Sequence, residues 1–253
     1  MQIIWLNINM SKRLKFFLSH LLISAFIASL IVILIFFIWY PSPLTKAVGV
    51  TQIFLMLVVI DVLIGPILGL LVYKEGKKSL KFDLTVIILI QLSALCYGVY
   101  SIAEGRPAWL VYTVDRFELV RNNEIIADHI QNAQKQYQQP SWLKPRFVAI
   151  EFAKDIRQRN DDMFTEVLGG VSIAQKPERY VELSTVKNQI QQRAQRLDVL
   201  DNFNNQQQVA KILSKYPQAN AWLPLKANAV DMVVLINKEK AQVVKIVDLR
   251  PWQ

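Results

Sequence analysis

The segment IDVLIGPILGLLVYKEGKKSLKFDLTVIILIQ, residues 60–91, contains the strongest structural pattern in the sequence. It joins the end of one apolar run to the start of another through a short, lysine-rich connection. Two membrane-length runs with such a connection predict a tight hairpin of two helices. The first run is interrupted by an aspartate, Asp61, and by a Gly65-Pro66 step.

The composition of the chain changes near residue 103. Hydrophobic residues make up 53% of the 253 residues, and nearly all of the excess lies before this point. Glutamine, asparagine, lysine and arginine dominate afterwards. This change predicts a membrane module over residues 1–103 and a water-soluble domain over residues 104–253, which is long enough to bury its own core.

The net charge of +9 does not indicate nucleic-acid binding. Residues 1–103 carry eight Lys/Arg against three acids, whereas residues 104–253 carry 21 against 17. Much of the surplus is therefore lysine that flanks membrane segments and sets their topology. We predict membrane lipid as a partner and no nucleic acid.

Three apolar runs are long enough to cross a bilayer, at about residues 21–40, 50–73 and 84–103. Twenty helical residues span the hydrocarbon layer of ~30 Å. The first run comes after cations, as in a signal peptide, but its length and the absence of a small-x-small site near Tyr40-Pro41 predict a retained span. Residues 1–9 differ in character from the segment that begins at Met10. This difference predicts that translation starts at Met10 and that residues 1–9 are an extension of the given sequence.

The cations that flank the spans predict the topology. They lie in the N-terminal flank and in the second loop, whereas the first loop has only Lys46. By the positive-inside rule, the N-terminus and the second loop are cytoplasmic, and the C-terminal domain is periplasmic, in a bacterial inner membrane. The topology-setting residues are Lys12, Arg13, Lys15, Lys74, Lys77, Lys78 and Lys81.

Polar residues inside the spans are the candidate site. An aspartate in the middle of a span costs about 2.5–3.5 kcal/mol, so Asp61 requires an explanation. Counting from the cytoplasmic ends places Pro66 near Gln91 and Asp61 near Tyr97. Pro66 frees the carbonyl of Val62, so we expect Gln91 to donate to that carbonyl and the Tyr97 hydroxyl to donate to Asp61.

Asp61, Gly65, Pro66, Gln91 and Tyr97 are accordingly predicted to form either a bundle-structural set or a docking surface for another protein's transmembrane helix. In the first interpretation Asp61 is protonated and hydrogen-bonded. A proton relay is disfavoured because it requires further ionisable groups along a path. His20 is predicted to be an interface residue at the mouth of the first span.

The remainder is predicted to be an α+β domain with an antiparallel sheet and a C-terminal β-hairpin. The predicted strands cover residues 108–120 and 146–152, and the predicted helices cover 122–138, 155–168 (ended by Gly169-Gly170), 184–197 and 201–215. The hairpin covers residues 231–249, and its edge is a possible strand-addition site. Pro140 and Pro145 bracket a loop that contains Trp142.

No motif in the sequence predicts catalysis, a cofactor or a metal. Cys96 is the single cysteine, there are two histidines, and neither a phosphate loop nor an H-E-x-x-H or G-x-S-x-G motif is present. The Asp161-Asp162 pair is interpreted as part of a solvated helix face. We predict a protein that is not an enzyme.

The segments IDVLIGPILGLLVY, KKSLKFDL and QLSALCYGVYSIAEGRPAWLVYTVDRFELV, with the three-span layout, resemble the TfpX/TfpZ family of type IV pilin accessory proteins, to which FimB-like proteins are related. The resemblance is strongest over residues 60–120. It implies an inner-membrane protein that assists one type IV pilin in stability, assembly or pilus dynamics, with the pilin and the pilus assembly machinery as partners. It implies no enzymatic activity.

Two other functions remain open at this point. A membrane-anchored periplasmic sensor or regulator is the main alternative, although its cytoplasmic part amounts to a short tail and one loop. A small transporter subunit would need polar residues along a path, and three spans with one acid supply few.

Overall fold

The computed structural model describes residues 10–151, 155, 157, 164 and 170–252. Two compact units are formed, one from Met1–Leu34 with Thr51–Ile102 and the other from Ile35–Val50 with Ala103–Gln253. Residues 1–9, the Asp161-Asp162 pair, and the predicted helix over 155–168 with Gly169 lie outside the described residues, except for 155, 157 and 164.

Three long helices are present, as predicted. Helix α1 covers Lys12–Ile33 and continues as a π-helical turn over Leu34–Trp39; α2 is the short helix Leu44–Val48, α3 covers Thr51–Val72 and α4 covers Leu80–Glu104. The segments Lys12–Trp39, Thr51–Val72 and Leu80–Glu104 are each long and apolar enough to cross a membrane. The protein is therefore membrane-anchored.

The cations of the first unit meet at one end of its helices. Lys12 pairs with Glu75 at 3.5 Å, and the Arg13 Nε donates to the Leu70 carbonyl at 2.6 Å. Lys77 pairs with Asp83 at 2.7 Å at the start of α4. A cation at the C-terminal end of α3 is favourable because unpaired carbonyls lie there. All seven topology-setting residues are exposed, namely Lys12, Arg13, Lys15, Lys74, Lys77, Lys78 and Lys81.

The second unit contains a curled sheet. Its strands are β1 Pro107–Tyr112, β2 Phe117–Arg121, β3 Arg146–Ile150, β4 Tyr180–Val181, β5 Gln195–Arg196, β6 Ala221–Lys226, β7 Met232–Asn237 and β8 Gln242–Val247, in the order β4-β3-β1-β2-β6-β7-β8, with β5 on β6. The α+β class and the C-terminal hairpin β7–β8 are confirmed. The sheet is mixed rather than antiparallel throughout, because the β1–β3 and β2–β6 pairs are parallel.

Two predicted elements of this unit are wrong. The single strand over 108–120 is a hairpin, because a turn at Thr113–Arg116 folds β2 back onto β1. The helix over 122–138 is replaced by three short 3₁₀ turns. The amide of Ile126 donates to the carbonyl of Gln175 at 2.9 Å, so a contact distant in sequence takes the donor that a helix would use.

The polar helices are shorter than predicted. The predicted helix over 184–197 is α-helical only at Lys187–Arg193 (α5), with 3₁₀ helices at Leu183–Val186 before it and Leu197–Asn202 after it. The predicted helix over 201–215 is α-helical only at Gln206–Leu213 (α6), where the Asn205 side chain caps the N-terminus. Strand β6 was not predicted because it contains Pro224. This proline is accommodated because β5 pairs with β6 only at Ala221 and Trp222, and β2 pairs with it only from Leu225 onward, so no ladder partner faces Pro224 on that side.

The loop between the first two spans packs into the sheet of the second unit. Leu44 and Ala47 are buried with Leu110, Phe117 and Leu223 in one core cluster. The Ala47 carbonyl accepts from the amides of Ala229 at 2.9 Å and of Val230 at 3.2 Å. Residues 41–49 are thus a structural part of this unit rather than a plain connection.

Glu124 ties the end of β2 to the loop after β6. Its carboxylate accepts from the Arg121 amide at 2.8 Å, the Arg121 guanidinium at 2.7 Å and the Asn228 amide at 2.9 Å. Burial raises the pKa of Glu124, but these hydrogen bonds outweigh burial, so the pKa lies below its ordinary value of 4.5. The carboxylate therefore stabilises the fold above pH 4.5, and this contribution is lost as the pH falls through the depressed pKa.

We expect Glu124→Gln to lower the free energy of unfolding by about 1–2 kcal/mol at neutral pH, because charge-assisted hydrogen bonds are lost. The difference from the unchanged chain should shrink as the pH falls below 4.5. Chemical unfolding of the detergent-solubilised chain at several pH values measures it. The exposed Glu182, changed to Gln, is the control, and an equal pH-dependent loss for both variants would refute the assignment.

Candidate functional site

A polar cluster lies inside the three-helix unit, and each long helix contributes to it. His20 and Ser24 come from α1, Asp61 from α3 and Gln91 from α4. His20 and Ser24 are four residues apart, which places both on the same face of α1. Outside this cluster the spans are largely apolar. These polar residues can therefore form hydrogen bonds with one another only where the helices face each other.

The Gln91 amide is the centre of the cluster. Its Nε2 donates to the Ser24 hydroxyl oxygen and to the main-chain carbonyl of Asp61, both at 3.0 Å. Its Oε1 lies 2.9 Å from the Nε2 of His20. One side chain of α4 is thus hydrogen-bonded to both other spans.

These bonds fix the tautomer of His20. Both Gln91 Nε2 bonds are donations, so Gln91 Oε1 is the acceptor and the His20 Nε2 carries the proton. The His20 Nδ1 is buried and has no hydrogen-bond partner among the described residues. Phe16 lies against the ring, with centroids 5.7 Å apart.

Glycines on α3 make room for the cluster. A Cβ atom on Gly65 would lie 1.8 Å from Gln91 Oε1, and one on Gly69 would lie 2.9 Å from the Phe16 ring. The two glycines are four residues apart, a spacing that allows membrane helices to approach closely. Pro66 is buried beside them. Gly65 is therefore required by the position of Gln91.

A cavity of about 280 Å³ adjoins the cluster. His20, Ser24, Asp61 and Gln91 line it, together with Ser19 and with apolar side chains of α1 and α4. Within the described part of the chain, no group of three or more His, Cys, Asp or Glu residues is arranged to hold a metal ion. The cluster can fix the rotation of the three helices, and it places one acid and one imidazole beside a cavity.

The comparisons with known proteins agree on one family. The model of the fimbrial assembly protein FimB matches residues 8–49. The Dichelobacter nodosus proteins "Fimbrial assembly protein, serogroup I" and "serogroup E1" are 31% and 30% identical, over 87% of this chain and 88% of each relative. The chain belongs to the family of fimbrial assembly proteins. The relative of serogroups C1 and C2 is 37% identical over 116 residues, or 45% of this chain. No solved structure matches.

The segment that matches the FimB model contains two members of the polar cluster that were not predicted as site residues. His20 and Ser24 lie within the matched residues 8–49, and the structure places both in the cluster. His20, predicted as an interface residue at the mouth of the first span, is hydrogen-bonded to Gln91, and its depth in the membrane stays a prediction. The signal that was present in the sequence is the His20–Ser24 spacing of four, together with the same spacing of Gly65 and Gly69.

In this fimbrial assembly protein, the predicted hydrogen-bond partners of Gln91 and Tyr97 also require correction. Gln91 donates to the main-chain carbonyl of Asp61 rather than to the predicted carbonyl of Val62. The Gln91 amide fits there because Gly65, one helical turn after Asp61, has no side chain to exclude it. The Tyr97 side chain is 73% exposed, and it is not among the described residues that line the Asp61 cavity. Asp61, Gly65, Pro66 and Gln91 are brought together, and Tyr97 is not.

Proposed function

We propose that this chain is an inner-membrane accessory protein of type IV fimbriae that assists a cognate pilin in its stability, assembly or pilus dynamics, as the TfpX/TfpZ resemblance implies. The observation that carries the proposal is the alignment with two fimbrial assembly proteins over 87% of the chain. An alignment of that extent covers the spans as well as the sheet, so the role belongs to the whole chain rather than to its anchor alone.

The proposed orientation puts the N-terminus in the cytoplasm and the C-terminal domain in the periplasm. The meeting of Lys12, Arg13 and Glu75 at one end of the helices supports it, because the two cation-rich segments then share one side. The first loop, which carries a single lysine, belongs to the opposite side.

The proposed contact with the pilin in the membrane is the outer face of α3. The polar cluster and the glycines occupy its inner face, whereas large apolar side chains at helical spacing are exposed on the other. These side chains are Ile53, Met56, Ile60, Leu63, Ile67 and Leu71. The His20–Ser24–Asp61–Gln91 cluster fixes the rotation of α3 and therefore which face is presented.

A second contact through the periplasmic domain completes the proposal. The family resemblance implies that a pilin has a helix in the membrane and a globular head outside it. The helix contacts α3 of this chain, and the head contacts the periplasmic domain. The second contact then forms at a high effective concentration, so neither interface needs to be large. Enzymatic activity has no part in this function.

Photo-crosslinking in the membrane tests the proposed contact. A photoreactive phenylalanine derivative replaces Met56 or Leu71 on the exposed face of α3, and we expect a crosslinked product that contains the pilin. Phe26 is the matched control position, because it is exposed to a similar extent on α1. The products are identified by immunoblotting and mass spectrometry.

Three outcomes separate the proposals. Capture of pilin from α3 but not from Phe26 supports the α3 contact. Equal capture of pilin from both helices contradicts the specific contact with α3 but supports the pilin as the partner of this chain. Capture of no pilin from any position contradicts the accessory role and favours the alternative of a membrane-anchored sensor.

A further inference from the structure

The loop of residues 140–145 in the second unit exposes two large apolar side chains. Trp142 is 67% exposed and Leu143 is 64% exposed, more than any other large apolar side chain described after residue 103. Lys144 comes next in the chain and is also exposed. A soluble domain rarely presents such a pair without a surface to cover it.

Chain connectivity marks the part of the second unit that lies at the membrane. Tyr40 directly follows the first span, which ends at Trp39, and Arg106 lies two residues after the third span, which ends at Glu104. Both residues are buried, and Pro41 and Pro43, just after the first span, line one groove with Leu110 of β1, the strand that follows the third span. The two exits from the membrane therefore meet at one place on the sheet domain.

The 140–145 loop lies at this same place. The Arg106 guanidinium is 4.6 Å from the centre of the Trp142 ring. Lys144 and Pro145 line one groove with Pro41, Ser42 and Pro43, which come directly after the first span. The Arg106–Trp142 contact and the shared groove thus place the loop near both points where the chain leaves the membrane.

We propose that Trp142 and Leu143 insert into the interfacial layer of the same bilayer that holds the three spans. Tryptophan suits this layer because its ring is apolar and its N–H is polar, and leucine extends into the adjoining acyl region. Lys144 is positioned to pair with lipid phosphate. The partner of the loop is thus the phospholipid surface on the side of the membrane where the sheet domain lies. The loop attaches the domain to the membrane in addition to the three spans.

Spin labelling of the full chain tests this insertion. Cys96 is the single cysteine, so Cys96→Ser provides a background for labelling Leu143→Cys. The protein is reconstituted in vesicles of phosphatidylethanolamine and phosphatidylglycerol, and the collision rates of the label with oxygen and with a water-soluble nickel chelate are measured. We expect an oxygen-to-nickel ratio several-fold above that of an aqueous control label.

The matched control is Val114→Cys. Val114 lies in the turn after β1, at the opposite end of that strand from Arg106. Val114 is also apolar and exposed, at 42%. Adding Trp142→Ala to the Leu143→Cys chain should lower the ratio toward the control value. Equal ratios at positions 143 and 114 would overturn the proposal, as would a ratio at 143 that Trp142→Ala leaves unchanged. Circular dichroism of each labelled chain confirms that the fold is retained.

Discussion

Replacing Ala47 by aspartate is expected to lower the free energy of unfolding of the second unit by about 3 kcal/mol or more. Ala47 is completely buried in the cluster that Leu110, Phe117 and Leu223 form on the sheet. A carboxylate at this position has no cation to pair with inside the cluster, and an unpaired buried charge is among the most destabilising changes known. Chemical unfolding of the detergent-solubilised chain, followed by near-UV circular dichroism, measures the loss.

The neighbouring residue provides the control for this prediction. Lys46 forms a salt bridge with Asp248 at 2.7 Å, but both side chains are substantially exposed. Lys46→Ala is therefore expected to cost no more than about 1 kcal/mol. If Ala47→Asp costs no more than Lys46→Ala, residues 41–49 are not part of the core of the second unit.

Replacing Gly65 by alanine is expected to destabilise the three-helix unit by disrupting the hydrogen bonds of Gln91. The new methyl group would lie 1.8 Å from Gln91 Oε1, so the amide must move away from His20, Ser24 and the Asp61 carbonyl. Hydrogen bonds between membrane helices contribute about 0.6 kcal/mol each on average, so the loss of this set costs about 2 kcal/mol. Gln91→Ala removes the same bonds and should cost a similar amount.

The double variant distinguishes this mechanism from simple crowding. Once Gln91 is shortened, the alanine at position 65 meets no amide, so Gly65→Ala with Gln91→Ala should be no less stable than Gln91→Ala alone. Unfolding in mixed detergent micelles, followed by far-UV circular dichroism, gives the coupling energy. Ser93→Ala, an exposed change on α4, is the control and should stay within about 0.5 kcal/mol of the unchanged chain. Additive losses from the two single changes would contradict the role of Gly65.

The elements that were predicted correctly are those with a strong local pattern. Three long apolar runs predict three spans because a membrane helix needs no partner to satisfy its backbone. The hairpin of β7 and β8 was predicted from two β-branched runs around a polar turn. The predictions for 108–120 and 122–138 were wrong because the turn at Thr113–Arg116 and the Ile126–Gln175 bond are set by pairing with other parts of the sheet domain.

The amino-acid sequence was sufficient to predict three spans, the ends at which cations gather, an α+β domain after residue 103 and the family resemblance. The tertiary structure was needed to show that His20, Ser24 and Gln91 meet at Asp61, and that Leu44 and Ala47 belong to the core of the sheet. The physical reason is that a span is apolar on every face, so hydropathy reports its length but not its rotation. The same limit applies to a short loop, whose burial depends on strands more than sixty residues away in sequence.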